Sequence, residues 1–269
     1  MAVVRGYFDD SGDGKHERFA SIGGIIGHPR AWEIFDSRWS VATYDLPGPF
    51  HATDCDSNPP KGIFKGWTKD RADTLMASLV KIIPEAKLMC FGSIVPVPLY
   101  RKIFPGSKED DPYLLAVRHM IVNMAMIGSE IAGSFAEADG VKIWCEDDRD
   151  TSAEAIRIYQ ALKHLDGWED GKYLKGFAVA SKELNAIQGA DLIAREAFKH
   201  IDNLGLRRMR RPVRKLRDSA TFHVWDEACL AYLKANGGPT NLRLLTEWGY
   251  KKPPEVPEMP NFYRSSFGH

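Results

Sequence analysis

Between residues 2 and 203 the chain alternates short β-compatible apolar runs with longer stretches of helical apolar spacing, in an order that few architectures accept. AVVRGYFD (2–9) and RFASIGGII (18–26) are strand-like, and the Gly- and Asp-rich SGDGKHE between them predicts a β-hairpin. PRAWEIFDSRW is a predicted helix, with Pro29 at its start and Trp32, Ile34, Phe35 and Trp39 on its apolar face. Pro47, Pro49, Pro59 and Pro60 then break the chain, so 47–66 is expected to be a long irregular loop. A helix over about 68–82 leads to a strand over about 87–95, and Asp111-Pro112 opens a long apolar helix reaching almost to Gly133. VKIWC (141–145) is a strand, and Thr151 with Glu154 forms a capping box for the next helix. LKGFAVA (174–180) is a strand, followed by a helix over about 184–202.

The resulting order, β-β-α-α-β-α-β-α-β-α, predicts an α/β fold: a mixed sheet with an antiparallel hairpin, parallel strands joined by crossover helices, and helices on its faces. Residues 1–203 are read as this α/β domain. Residues 204–269 are read as an extension packed on it, with a basic helical segment, a helix at about 224–235 and a Pro-rich tail. No apolar run is read as long enough to span a bilayer, and the N-terminus lacks the pattern of a secretory signal. Cys55, Cys90, Cys145 and Cys229 stand far apart without metal-knuckle or disulfide spacing, and a cytoplasmic location is the expectation.

Charge is balanced, with 36 basic and 36 acidic residues, but it is not evenly spread. Asp9 and Asp10 end the first strand, where burial of a carboxylate is costly unless it meets a cation. Glu146, with Asp147 and Asp148 behind it, ends VKIWC, so both acidic groups reach the same sheet edge if their strands are neighbours. Asp191 lies on a helix apolar around most of its circumference, with Gln188 one turn earlier on the same face. An i,i+4 salt bridge from Asp191 to Arg195 is the competing structural explanation of that acid. Carboxylates from two strand ends and a late helix suit Mg²⁺ or Mn²⁺, and metal-assisted phosphodiester hydrolysis needs several acids and no covalent nucleophile. No Ser/His/Asp set, P-loop or Gly-x-Gly-x-x-Gly stands out.

GYFDDSGDG with ERFASIGGIIG, FHATD (50–54), CEDD (145–148) and ASKELNAIQGADLIA together resemble the bacterial domain-of-unknown-function family 3800 over roughly residues 3–200. Asp10 stands where that family usually has Glu, and Glu146 where it more often has Asp, which leaves Asp147 as an alternative ligand. The resemblance implies a ribonuclease H-like fold with Asp9, Glu146 and Asp191 as metal ligands, supported by Asp10, Ser11, His51, Ser181 and Gln188. His51 is then a candidate proton shuttle or phosphate contact.

LRRMRRPVRKLR (206–217) holds Arg207, Arg208, Arg210, Arg211, Arg214, Lys215 and Arg217, a candidate surface for an RNA or DNA substrate. The Pro-rich tail is a candidate protein-binding segment. Two other functions stand beside the nuclease: a catalytically idle nucleic-acid or protein-binding scaffold, and a phosphatase with Asp9 as aspartyl nucleophile. The latter lacks the usual second Asp, because Ser11 occupies that position.

Overall fold

The two opening apolar runs form β1 (Ala2–Ser11) and β2 (Phe19–Gly27), antiparallel in the register Arg5↔Gly27 to Ser11↔Ser21. The computed structural model describes residues 2–12, 17–106, 111–134, 138–147, 149–202, 211–216 and 219–248. After the hairpin come α1 (Pro29–Ala42), α2 (Ala52–Asp56), a 3-10 turn at Gly62–Phe64, and α3 (Lys69–Glu85). Next follow β3 (Met89–Pro96), α4 (Val97–Ile103), α5 (Pro112–Ser134), β4 (Ala138–Glu146), α6 (Arg149–Lys163), β5 (Leu174–Ala180) and α7 (Asn185–Asp202). The chain then supplies α8 (Arg211–Leu216), β6 (Ala220–Val224), α9 (Glu227–Ala235) and α10 (Leu242–Trp248).

The strands make one sheet in the order β5-β4-β1-β2-β3-β6. β2 is antiparallel to both its neighbours, whereas β1–β4, β4–β5 and β3–β6 are parallel. This is the mixed α/β sheet expected from the element order, and it sets the ends of β1, β4 and β5 at one edge. Side chains alternate across the strands, so two cores form. One, with Phe8, Ile22, Met120 and Tyr159, lies on the face covered by α5 and α6; the other, with Tyr7, Ile25, Phe35 and Ile193, lies under α1, α3 and α7.

Four expectations are corrected. Residues 47–66 are not wholly irregular, because α2 and the 3-10 turn lie within them. α6 begins at Arg149, ahead of the capping box placed at Thr151. Residues 220–224 are a strand, and α9 starts only after Asp226, whose side chain accepts the Cys229 N–H at 2.8 Å. β6 thus completes the sheet from within the C-terminal third. Among the described residues α5 is, against the sequence expectation, long and apolar enough to cross a membrane. The share of its apolar window buried in this fold is 72%, so packing against the sheet accounts for its composition.

Candidate active site

α7 crosses the sheet along a single row of paired residues. Asp9 pairs with Gly23, and Gly23 pairs with Gly92, on β1, β2 and β3. A Cβ on Gly23 would lie 2.0 Å from the Ala194 backbone nitrogen, and one on Gly92 would lie 2.9 Å from the Ala197 Cβ. Three residues of helix rise about 4.5 Å, close to the roughly 4.8 Å between strands. Positions 194 and 197 therefore fall over β2 and β3, and position 191 falls over β1, where Asp9 sits. The two glycines let the helix backbone come down onto the sheet, and that descent brings the two carboxylates together.

The same helix grips the segment that carries His51. Gln188 Oε1 accepts the Phe50 N–H at 3.2 Å and the Trp39 Nε1–H at 3.0 Å. Asp191 Oδ2 accepts the Ala52 N–H at 2.8 Å. Arg195 donates to Asp56 Oδ2 from Nε at 3.0 Å and lies 2.9 Å from it through Nη2. Gln188, Asp191 and Arg195 thus hold residues 50, 52 and 56, and the buried Asp56 is also reached by Lys69 at 3.3 Å. The i,i+4 bridge from Asp191 to Arg195 is not made: Arg195 is committed to Asp56 of α2, and Asp191 accepts the Ala52 N–H instead.

Asp9, Asp10, Glu146 and Asp191 line one open cavity of about 210 Å³ with Ser11, Gly12, His51, Thr53 and Lys182. That is below the ~300–1,000 Å³ of small-molecule pockets. Asp9 and Asp191 are each 6% exposed. Burial, then the charges of Asp191 and Asp10, push the Asp9 carboxyl well above the usual carboxylate range, against the Asp10 N–H and Lys182. Burial likewise raises Asp191, opposed by His51, the Ala52 N–H and Lys182. Lys182 Nζ lies 2.7 Å from Glu146 Oε1. His51 Nδ1 lies 3.3 Å from Asp54 Oδ2. The Ser11 hydroxyl is buried without a hydrogen-bond partner among the described residues.

Of the residues singled out in the sequence, the cavity gathers Asp9, Asp10, Ser11, His51, Glu146 and Asp191. Asp147 is exposed and does not line it; its N–H continues the β4–β5 pairing to Ala180 O at 3.0 Å. Ser181 is exposed and accepts the Glu183 N–H at 3.2 Å. Gln188 acts from behind, and its Nε2 holds Lys182 O at 2.9 Å. Lys182 and Thr53 are additions. Lys182 belongs to the Ser-Lys motif, yet its sequence position does not indicate that it turns back toward β4. Arg207, Arg208, Arg210, Arg217, Asp148 and the Pro-rich tail lie outside the described residues. Arg211 opens α8, Arg214 is exposed there, and Lys215 Nζ donates to Ala77 O at 2.9 Å.

Among the described residues no three His, Cys, Asp or Glu side chains form a ready-made ion-binding group. The donor set nevertheless suits a hard cation: four carboxylates face one ammonium, two of them buried, with an unpartnered hydroxyl beside them. No protein-family model matches this chain, and no curated protein or solved structure matches it either.

Proposed function

We propose that this chain is a divalent-metal-dependent phosphodiester hydrolase acting on RNA or DNA. The observation that carries the reading is the burial of Asp9 and Asp191, from different elements, in one cavity with Asp10 and Glu146. Buried like charges are costly, and a structural role for Asp191 needs no second acid beside it. Asp9, Glu146 and Asp191, with Asp10, would hold Mg²⁺ or Mn²⁺, which when bound supplies Lewis-acid stabilisation of phosphoryl oxygens and a more acidic water. His51, with Nδ1 turned to Asp54, keeps Nε2 for proton exchange with a substrate oxygen or water. Lys182 offers a positive charge to an anionic substrate, the more so once Glu146 has another cation to pair with. The resemblance to the family-3800 motifs supports the same assignment, and its FHATD and Gln-x-x-Asp motifs are the two segments joined by the Ala52–Asp191 and Phe50–Gln188 hydrogen bonds.

The Lys182–Glu146 pair favours one rival, an idle scaffold whose acids are neutralised internally. Mn²⁺ titration followed by thermal melting, alongside cleavage of labelled RNA and single- and double-stranded DNA, separates the two. Saturable stabilisation, about 2.7 kcal/mol at one hundred times Kd, with Mn²⁺-dependent cleavage, is the expected result. No metal-induced shift and no cleavage would leave the scaffold. An aspartyl-nucleophile phosphatase is disfavoured because Ser11 stands where the second Asp of such a site is expected.

A further inference from the structure

Among the described residues Lys182 is the one Lys or Arg that lines the cavity, which it shares with Asp9, Asp10, Glu146 and Asp191. β5 pairs with β4 as far as Glu146↔Ala180, so Lys182 lies two residues past the partner of Glu146 and turns back toward the end of β4. Its turn is pinned at three points. The Leu184 N–H donates to Ser181 O at 3.1 Å, the Glu183 N–H to Ser181 Oγ at 3.2 Å, and Gln188 Nε2–H to Lys182 O at 2.9 Å. The other end of the same Gln188 amide accepts the Phe50 N–H at 3.2 Å. One buried side chain therefore anchors both segments that bring a cationic or basic group to the acids, the one with His51 and the one with Lys182.

Beyond that anchored backbone the lysine is loosely held. Its ammonium lies 2.7 Å from Glu146 Oε1, with the two side chains 57% and 15% exposed. An ion pair so open to solvent contributes little to stability, and three hydrogen bonds already hold the turn, so a purely structural pair would be redundant. An ammonium on a flexible stem re-aims without moving the main chain. The same charge opposes the upward shift of both Asp9 and Asp191, so its field reaches the buried acids as well as Glu146. A divalent cation on Glu146 would repel an ammonium held at the same carboxylate, and of the two the ammonium is the one on a mobile arm.

We infer that Lys182 is an exchangeable counter-cation: it neutralises Glu146 in the metal-free protein, yields that carboxylate to a divalent ion, and then turns its ammonium to a phosphoryl oxygen of the substrate. The inference rests on the nuclease reading and deepens it by giving one side chain two successive partners. Lys182 thus works against metal and for substrate, and its removal acts with opposite sign on the two. A lysine that only held the site together would act with the same sign on both.

The test uses the full chain. The Kd for Mn²⁺ alone is read from the free-ion electron paramagnetic resonance signal without nucleic acid, beside cleavage of oligo(dT) and oligo(U) in saturating Mn²⁺. Lys182→Met is expected to tighten Mn²⁺ by about 2- to 5-fold, the span of an exposed ion pair. It is expected to lower kcat/KM by about 10- to 150-fold, the span of a hydrogen bond to a charged group. Lys182→Arg keeps the charge on the same backbone and restores both values toward the parent; Lys182→Gln serves the comparison if Lys182→Met melts poorly. Parent protein that cleaves, with the neutral variant binding Mn²⁺ no tighter or cleaving as well as the parent, overturns the exchange and leaves the nuclease reading intact. Parent protein that cleaves neither strand overturns both.

Discussion

Asp9 and Asp191 concentrate the electrostatic cost of the site, and each gives a measurable consequence. Burial first, and then Asp191 and Asp10, raise the folded-state pKa of Asp9, so the native state holds this proton more tightly than the unfolded chain. The associated stability is present at low pH and is lost as pH rises from the ordinary carboxylate range through the raised value. The effect belongs to the coupled acids together. Melting of the metal-free protein is expected to show this decline, Asp9→Asn to flatten it, and Mn²⁺ to offset it near neutrality; a parent profile flat across that window would refute the account. At Asp191 the amide and alanine variants differ. Asp191→Asn keeps an acceptor for the Ala52 N–H and removes charge, so the metal-free melting temperature holds or rises while cleavage falls more than about 100-fold, beyond the 10–100-fold typical of outer-shell partners. Asp191→Ala strands the buried N–H and costs about 1–3 kcal/mol. Full activity in the Asn variant would reduce Asp191 to a cap for α2. The acids were legible in the sequence because charge at the end of an apolar strand, or on an apolar helix, is anomalous. Lys182 was not, since an exposed lysine after a strand is ordinary until its partner on a neighbouring strand is known.

The element that assembles the site is α7, and what seats it is the absence of side chains beneath it. Gly23→Ala places a methyl 2.0 Å from the Ala194 nitrogen, a clash with backbone that no rotamer relieves. The helix must lift, and both the core under α7 and the Asp9–Asp191 juxtaposition suffer. Overpacking typically costs about 1–3 kcal/mol, and here the upper end or beyond is expected from denaturant melts. The corresponding loss of cleavage should persist at temperatures where the variant is still folded; full activity there would show that the site tolerates a displaced helix. The long helices and the strands of the first 200 residues were readable, because their periodicities recur over many residues. α2 was not: five residues between prolines carry no period, and its place is fixed by Gln188, Asp191 and Arg195 from a distant helix. β6 escaped for the same reason, since its strand character comes from pairing with β3.

At the scale of the whole molecule, the zero net charge conceals a separation between an acidic cavity and a basic stretch at 206–217. Asp191 lies eleven residues before the end of α7, about 16 Å along the helix axis. Lys215 is already engaged with the Ala77 carbonyl on α3, while Arg214 is exposed. Under the nuclease reading the exposed Arg214 is then available to phosphate, and the stretch would contribute affinity rather than chemistry. Replacing Arg207, Arg210, Arg211 and Arg214 with Ala should lower affinity uniformly across sequences. If all four meet phosphates of a single strand, the slope of log K against log salt becomes shallower by about 3, at ~0.7 per contact. Under the nuclease reading, cleavage of a dinucleotide, whose one phosphodiester is the reacting bond, should be unchanged. A salt slope identical to the parent's, measured by anisotropy over the same series, would assign the cluster to a solvated face.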